Sequence, residues 1–237
     1  MNSRRRQILR PSPSTTVSLK NRQTLFSVTM GILLVAIIVV GLRDPSLNVE
    51  VYYYTAAEDH YYENPNNWTP SYPGKKIQRH QKIVIQGTTY ANYKPIRVRG
   101  KIEISPGASL FAFSENVIIE TQGSVFNRGE IIVNEIENFG ILKNEIAGSI
   151  DVLHYHAYEG SETHNLHTSR VTVAGSLMNQ GDIFNYSDFQ IHKQLTNYAN
   201  FHHGSTGKLM VNGKLIDRIN AESRYTHFTE NLPQVLQ

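Results

Sequence analysis

The sequence predicts an all-β protein built as a parallel β-solenoid, and three observations carry that expectation. The heptapeptide G-S-V-F-N-R-G at 123–129 returns almost unchanged as G-S-L-M-N-Q-G at 175–181, and internal repetition is a stronger fold signal than any single residue. Shorter echoes surround both copies, among them N-F-G at 138–140, L-K-N at 142–144, I-F-N at 183–185 and L-T-N at 195–197. Each joins a brief apolar run to Asn or Gly, the residues that accept the sharp corners which β-branched side chains resist. Between these corners, I-I-V at 131–133, I-D-V at 150–152 and V-T-V at 171–173 place alternate side chains on one face, the period of a strand.

Residues 1–22 hold Arg4, Arg5, Arg6, Arg10, Lys20 and Arg22 among Ser, Thr, Pro and Asn, with no acid. Such a composition buries too little apolar surface to fold and reads as a disordered tail. The arginine run alone would also suit a nuclear signal or a nucleic-acid arm. Residues 23–42 carry no charge in 20 positions, and 31–42 are wholly apolar; as a helix this run spans about 30 Å. A cleavable signal peptide shares the basic start, but its apolar core is shorter, about 7–15 residues, and ends at a small-x-small cleavage site, which Val39, Val40, Gly41, Leu42 and Arg43 do not offer. The reading is an uncleaved signal-anchor. Six basic residues before the span put the N-terminus in the cytoplasm and all that follows Asp44 across the membrane, periplasmic or extracellular, with a bacterial inner membrane the favoured site.

The net charge of +3 and the pI near 9.0 belong to the tail. From Asp44 onward 16 Lys/Arg stand against all 20 Asp/Glu, a net charge of −4, which argues against a nucleic-acid partner. With no cysteine, a thiolate zinc site, a thiol nucleophile and a disulfide framework are all excluded.

Residues 48–81 form a Tyr- and Trp-rich segment: eight of the 13 tyrosines lie between Tyr52 and Tyr93. Tyr52, Tyr54, Tyr61, Trp68 and Tyr72 are candidates for a carbohydrate platform, because sugar rings stack on open aromatic faces. The competing expectation is an N-terminal cap over the first rung, which solenoids need for solubility.

The run N-N-W-T-P-S-Y-P-G at 66–74, K-I-V-I at 82–85, I-R-V-R-G-K-I-E-I at 96–104 and P-G-A-S-L at 106–110 resembles the opening of β-helical modules in secreted and cell-surface proteins of the Bacteroidota. The likeness is close over 66–110 and generic beyond. It departs where His80, Gln81 and Lys82 replace an acidic residue often seen before the first strand. The resemblance implies a right-handed parallel β-helix acting as a spacer or recognition stalk; a generic likeness to bactofilin-type solenoids implies that open ends can self-associate.

The solenoid is expected over 82–217, with about 20 residues per coil, hence about six coils and a rod about 30 Å tall. A β-sandwich would show longer strands with hairpins every 8–12 residues or so. Asparagines at one corner of successive coils are expected to stack and hydrogen-bond along the axis. Residues 156–170, polar and without alternation, are expected to leave the rungs as a lateral loop. Residues 218–237 are expected to cover the last coil, with Tyr225 and Phe228 packed on it.

For chemistry, His154 and His156 would share a strand face, and with His164 and His167 they are the metal-ligand candidates; the alternative is a polar coil edge. Glu135 and Glu137 also share a face, as a paired-carboxylate hydrolase would need, although such pairs commonly serve solubility. G-S-T-G-K at 204–208 lacks the spacing and trailing hydroxyl of a phosphate loop. No cofactor signature is present, and Asn67 and Asn185 head glycosylation sequons. The functional expectation is therefore a membrane-anchored structural or interaction protein of the envelope, with a protein partner or self-association. A carbohydrate- or cell-wall-binding module comes next, then a β-helical polysaccharide lyase or hydrolase.

Overall fold

The computed structural model describes residues 49–57 and 59–218. The basic tail at 1–22, the apolar run at 23–42 and the expected terminal cover beyond residue 218 lie outside the described residues. No helix among the described residues is long and apolar enough to cross a membrane.

These residues form a parallel β-solenoid of the right-handed type with about seven turns and, beyond the three-residue 3-10 turn Pro65–Asn67, no helix. Each coil has three faces. The first stacks Glu50–Tyr54, Gln81–Ile85, Lys101–Ile104, Ser124–Asn127, Ile141–Asn144, Glu162–Asn165, Asp182–Asn185 and Phe201–His203, all parallel and in register. The long strands Ser109–Ile119, Glu130–Asn138 and Ser149–Ala157 bend around the corner between the second and third faces and join both into one sheet. Later coils break there into separate strands, such as Arg170–Val173 and Ser176–Asn179.

The sequence predicts about six coils from residue 82. The additional coil comes from Glu50–Tyr54, which pairs in parallel with Gln81–Ile85, and Lys76–Ile77, which pairs with Ile96–Val98. Hence much of the aromatic segment is itself a rung. Its outer edge is closed by Trp68–Thr69, the one antiparallel partner of Glu50–Tyr54 among the described strands.

Burial alternates along nearly every rung. On the first face, Ile102, Val125, Leu142, Thr163 and Ile183 point inward one above another and are at most 2% exposed. Two positions later comes the amide column: Asn127, Asn144, Asn165 and Asn185 are buried and bond in series, Nδ2 to the next Oδ1, at 2.9, 3.1 and 2.9 Å. Each Nδ2 also donates to a backbone carbonyl at the start of the second face, of Ser149, Arg170, Asp188 and Lys208 in turn. A second corner repeats the device with Asn179 and Asn197 at 2.8 Å. Below them Ala157 occupies the column, so Asn138 bonds instead to the Tyr155 hydroxyl and Thr163 Oγ1. Burial pushes the Tyr155 phenol up to about 12. A buried amide is tolerable only when its donors and acceptors are met, and stacking in register meets them.

Glycine opens the two heptapeptide copies for a steric reason. A Cβ at Gly123 would strike the Val98 carbonyl one coil below, and one at Gly175 would strike that of Leu153. The copies nevertheless occupy different faces, Ser124–Asn127 on the first and Ser176–Asn179 on the third. The repeating unit is therefore the face and its corner rather than the whole coil.

Candidate functional site

Tyr54 and Trp68 are enclosed, at 0% and 5% exposure, together with Tyr62. Trp68 packs edge-on against Tyr54 and Tyr62 with centroids 5.2 and 4.8 Å apart, Tyr72 lies 6.0 Å from Tyr62, and the Trp68 indole donates to the Tyr62 carbonyl at 2.7 Å. Burial raises the Tyr62 phenol well above its ordinary value. The platform expected from Tyr52, Tyr54, Tyr61, Trp68 and Tyr72 is thus not assembled: Tyr54 and Trp68 have no open ring face, since they close the end of the core. Tyr72 is partly buried against that core, and Tyr52 is half-covered and donates to Glu50 at 2.7 Å. Tyr61 alone of the five is exposed.

The expected lateral loop at 156–170 is a regular coil. Its middle, Glu162–Asn165, is a first-face strand paired on both sides, with Thr163 and Asn165 inward. That placement separates the four candidate histidines. His154 and His156 share the outer side of the third face, where His154 Nδ1 lies 2.9 Å from Ser176 Oγ and His156 Nδ1 lies 3.5 Å from Glu135. His164 stands on the first face beside Glu162 at 3.0 Å, and His167 lies at a corner 3.0 Å from Thr206 Oγ1. Among the described residues no three His, Asp or Glu side chains are grouped to hold a metal ion. Glu135 and Glu137 do share a face. One Asn116 amide donates to both, at 2.8 and 3.3 Å, and burial, then the two carboxylates, raise the nearby Tyr158 phenol. Asn67 and Asn185 of the two sequons are 0% exposed, which closes both to modification in the folded chain.

The outer surface carries features that emerge only when coils are stacked. On the first face His164, Phe184 and His202 form a column of near-parallel rings 4.8 and 4.7 Å apart. Lower in that column Lys101 sits 4.0 Å over the Phe126 ring, and Lys82 and Lys101 hold Glu103 at 2.8 and 2.6 Å. Burial alone would raise the Glu103 carboxyl, yet the bonds from Lys101 and Lys82 outweigh it and leave it below its ordinary value. On the second face Tyr90 and Phe111 stack at 5.0 Å and Phe111 and Phe113 at 5.5 Å; Phe113 is 63% exposed and Tyr93, at the corner below it, 85%. Charge is banded as well. Residues 75–101 contain eight Lys/Arg and no acid, whereas 103–162 contain ten Asp/Glu against Arg128 and Lys143. The band was present in the composition, but a whole-chain charge conceals it.

Comparison of the chain with family models, curated proteins and solved structures returns no match.

Proposed function

We propose that this chain is a membrane-anchored presentation rod, whose solenoid displays its outer faces on the extracytoplasmic side to a protein partner or another copy within an envelope assembly. One observation carries the reading: the interior is filled. From Ile83 to Leu209 the inward positions are closed by aliphatic and aromatic side chains and by satisfied amide columns, so recognition falls to the outward residues. The charge-free run at 23–42 behind six basic residues supplies the anchor and its direction. The likeness of 66–110 to Bacteroidota surface modules favours the same role, a stalk rather than a catalyst.

Protease added to intact spheroplasts should digest the solenoid and spare an epitope placed before Arg22. Digestion of the epitope with sparing of the solenoid, or release of the chain as a soluble species, would overturn the reading.

A further inference from the structure

We infer that the first two coils present a lipid-contact surface, on the third face and its corner with the second, which rests on an anionic membrane. The inference builds on the anchor reading and adds an orientation to it.

Two independent features meet there. The first is apolar. Tyr93, at the corner after Thr88–Tyr90, has a positive φ of 72° and is 85% exposed, and one coil along Phe113 is 63% exposed. A tyrosine at positive φ meets a steric penalty, and large exposed rings are unfavourable in water. That exposure becomes favourable where the rings enter a headgroup layer, which suits an aromatic body with a polar tip.

The second feature is charge. Lys94 follows Tyr93 directly. Lys76 and Arg97 are stacked in register on the adjoining face, and Arg99 is 49% exposed at its far edge. Glu120 pairs with Arg97 and Arg99, which leaves Lys76 on that face and Lys94 next to Tyr93, both exposed. Cations flanking exposed aromatic side chains match a surface of lipid phosphates with apolar depth beneath. A soluble polyanion would satisfy the cations and leave the rings in water. These coils also follow the apolar run most closely in the chain.

The chain has no cysteine, so single labels are unambiguous. Full-length protein carrying Tyr93→Cys, Phe113→Cys or, as control, Ile146→Cys, which is 71% exposed and lies coils away, would be labelled with an environment-sensitive nitrobenzoxadiazole probe. It would then be reconstituted into liposomes of phosphatidylcholine alone or mixed with phosphatidylglycerol. The expected result is blue-shifted, brighter emission at 93 and 113 with phosphatidylglycerol, quenched by lipid-borne nitroxide, reversed at about 1 M NaCl, and absent at 146. Combining either label with Lys76→Gln and Lys94→Gln should move the lipid-facing population about 30-fold toward water, at about fivefold per charge. Water-like emission at 93 and 113 in both lipids, an equal shift at 146, or the same shift from dextran sulfate without lipid would each overturn the proposal. Carbonate extraction tests the anchor separately: a chain that it releases has no span, and its labels are then read after addition to preformed vesicles.

Discussion

Replacing Asn165 tests whether the amide column holds the rod together or merely fills space. Asn165 is fully buried. Its Nδ2 donates to Asn185 Oδ1 and to the Asp188 carbonyl, both at 2.9 Å, and its Oδ1 accepts from Asn144 Nδ2 at 3.1 Å and from Ser169 Oγ at 2.6 Å. Alanine removes all four bonds. At a net value of about 1 kcal/mol each, the ceiling is about 4 kcal/mol. Three of the bereft groups keep a second partner: Asn144 Nδ2 retains the Arg170 carbonyl, Ser169 Oγ the Leu166 carbonyl and Asn185 Oδ1 the Ser187 amide. The expected loss for Asn165→Ala is therefore about 3 kcal/mol, a large share of the roughly 5–15 kcal/mol that stabilises a typical domain. Asn165→Asp is the sharper variant. It keeps the shape but turns the donor into an acceptor facing two other acceptors, and it buries a charge, so at neutral pH it should cost more than alanine and recover part of the deficit in acid as the carboxyl regains a proton. Exposed Asn212→Ala should stay within about 0.5 kcal/mol of the parent. Urea titration of the unit Asn48–Gln237, followed by far-ultraviolet circular dichroism, reads all three. Asn165→Ala no worse than Asn212→Ala, or Asn165→Asp no worse than Asn165→Ala at neutral pH, would refute the ladder as a source of stability.

Leu177→Asp or Val125→Asp places an unpaired charge at an inward position that is 1% exposed, a cost of several kcal/mol. Circular dichroism should show the β-signal lost, whereas Met178→Asp, one residue along and outward, should keep it. At the last described rung of the amide column His203 stacks on Phe201 at 5.1 Å and stands in register above Asn185. Burial, with a smaller contribution from His202, holds its imidazole down to about 4 from the ordinary 6.5. Between those values the unfolded chain binds a proton that the native coil does not, so stability is intact above about pH 6.5 and declines as pH falls toward 4. After discount for partial solvent contact the loss is about 1–2 kcal/mol. His203→Asn should flatten the difference between urea midpoints at pH 7 and about pH 4.5; an unchanged difference would assign the acid sensitivity elsewhere.

The inner grammar of the fold was legible because it is local. Alternation over three or four residues followed by Asn, as in Ile141–Asn144 and Asp182–Asn185, states both which side chains point inward and where the corner falls. Register between coils was not legible, since corners vary in length and no single residue marks the coil boundary. Hence the His164, Phe184 and His202 column emerges only when the coils are stacked, and the two heptapeptide copies carry no local mark of the different faces they occupy. Glu162–Asn165 reads as loop in the sequence because its inward residues are Thr163 and Asn165 rather than two aliphatics. The amide column permits that substitution, and a hydropathy pattern cannot register it. The aromatic segment misled in the other direction: tyrosine suits both a wet platform and a cap, and only packing shows that Tyr54 and Trp68 close the core while Phe113 and Tyr93 stand open.

What selects the outer residues is a separate question, because the fold asks little of them. Every face closes its interior with the same pattern, so outward positions are free to vary, and charges chosen for stability alone would alternate from rung to rung. On the first face Lys82 stacks on Lys101, and Glu103 reaches both. On the third face of the same coils Lys76 likewise stacks directly on Arg97, an adjacent like-charge pair that weakens a sheet, but Glu120 one coil further offsets it only from the Arg97 side, at 3.8 Å. Ten acids then crowd residues 103–162. A banded surface of this kind costs stability through self-repulsion, in a rod whose coils are otherwise economical. Its persistence at the end that follows the apolar run is the physical reason to seek the partner of the first coils among anionic surfaces, and that of the middle coils among basic ones.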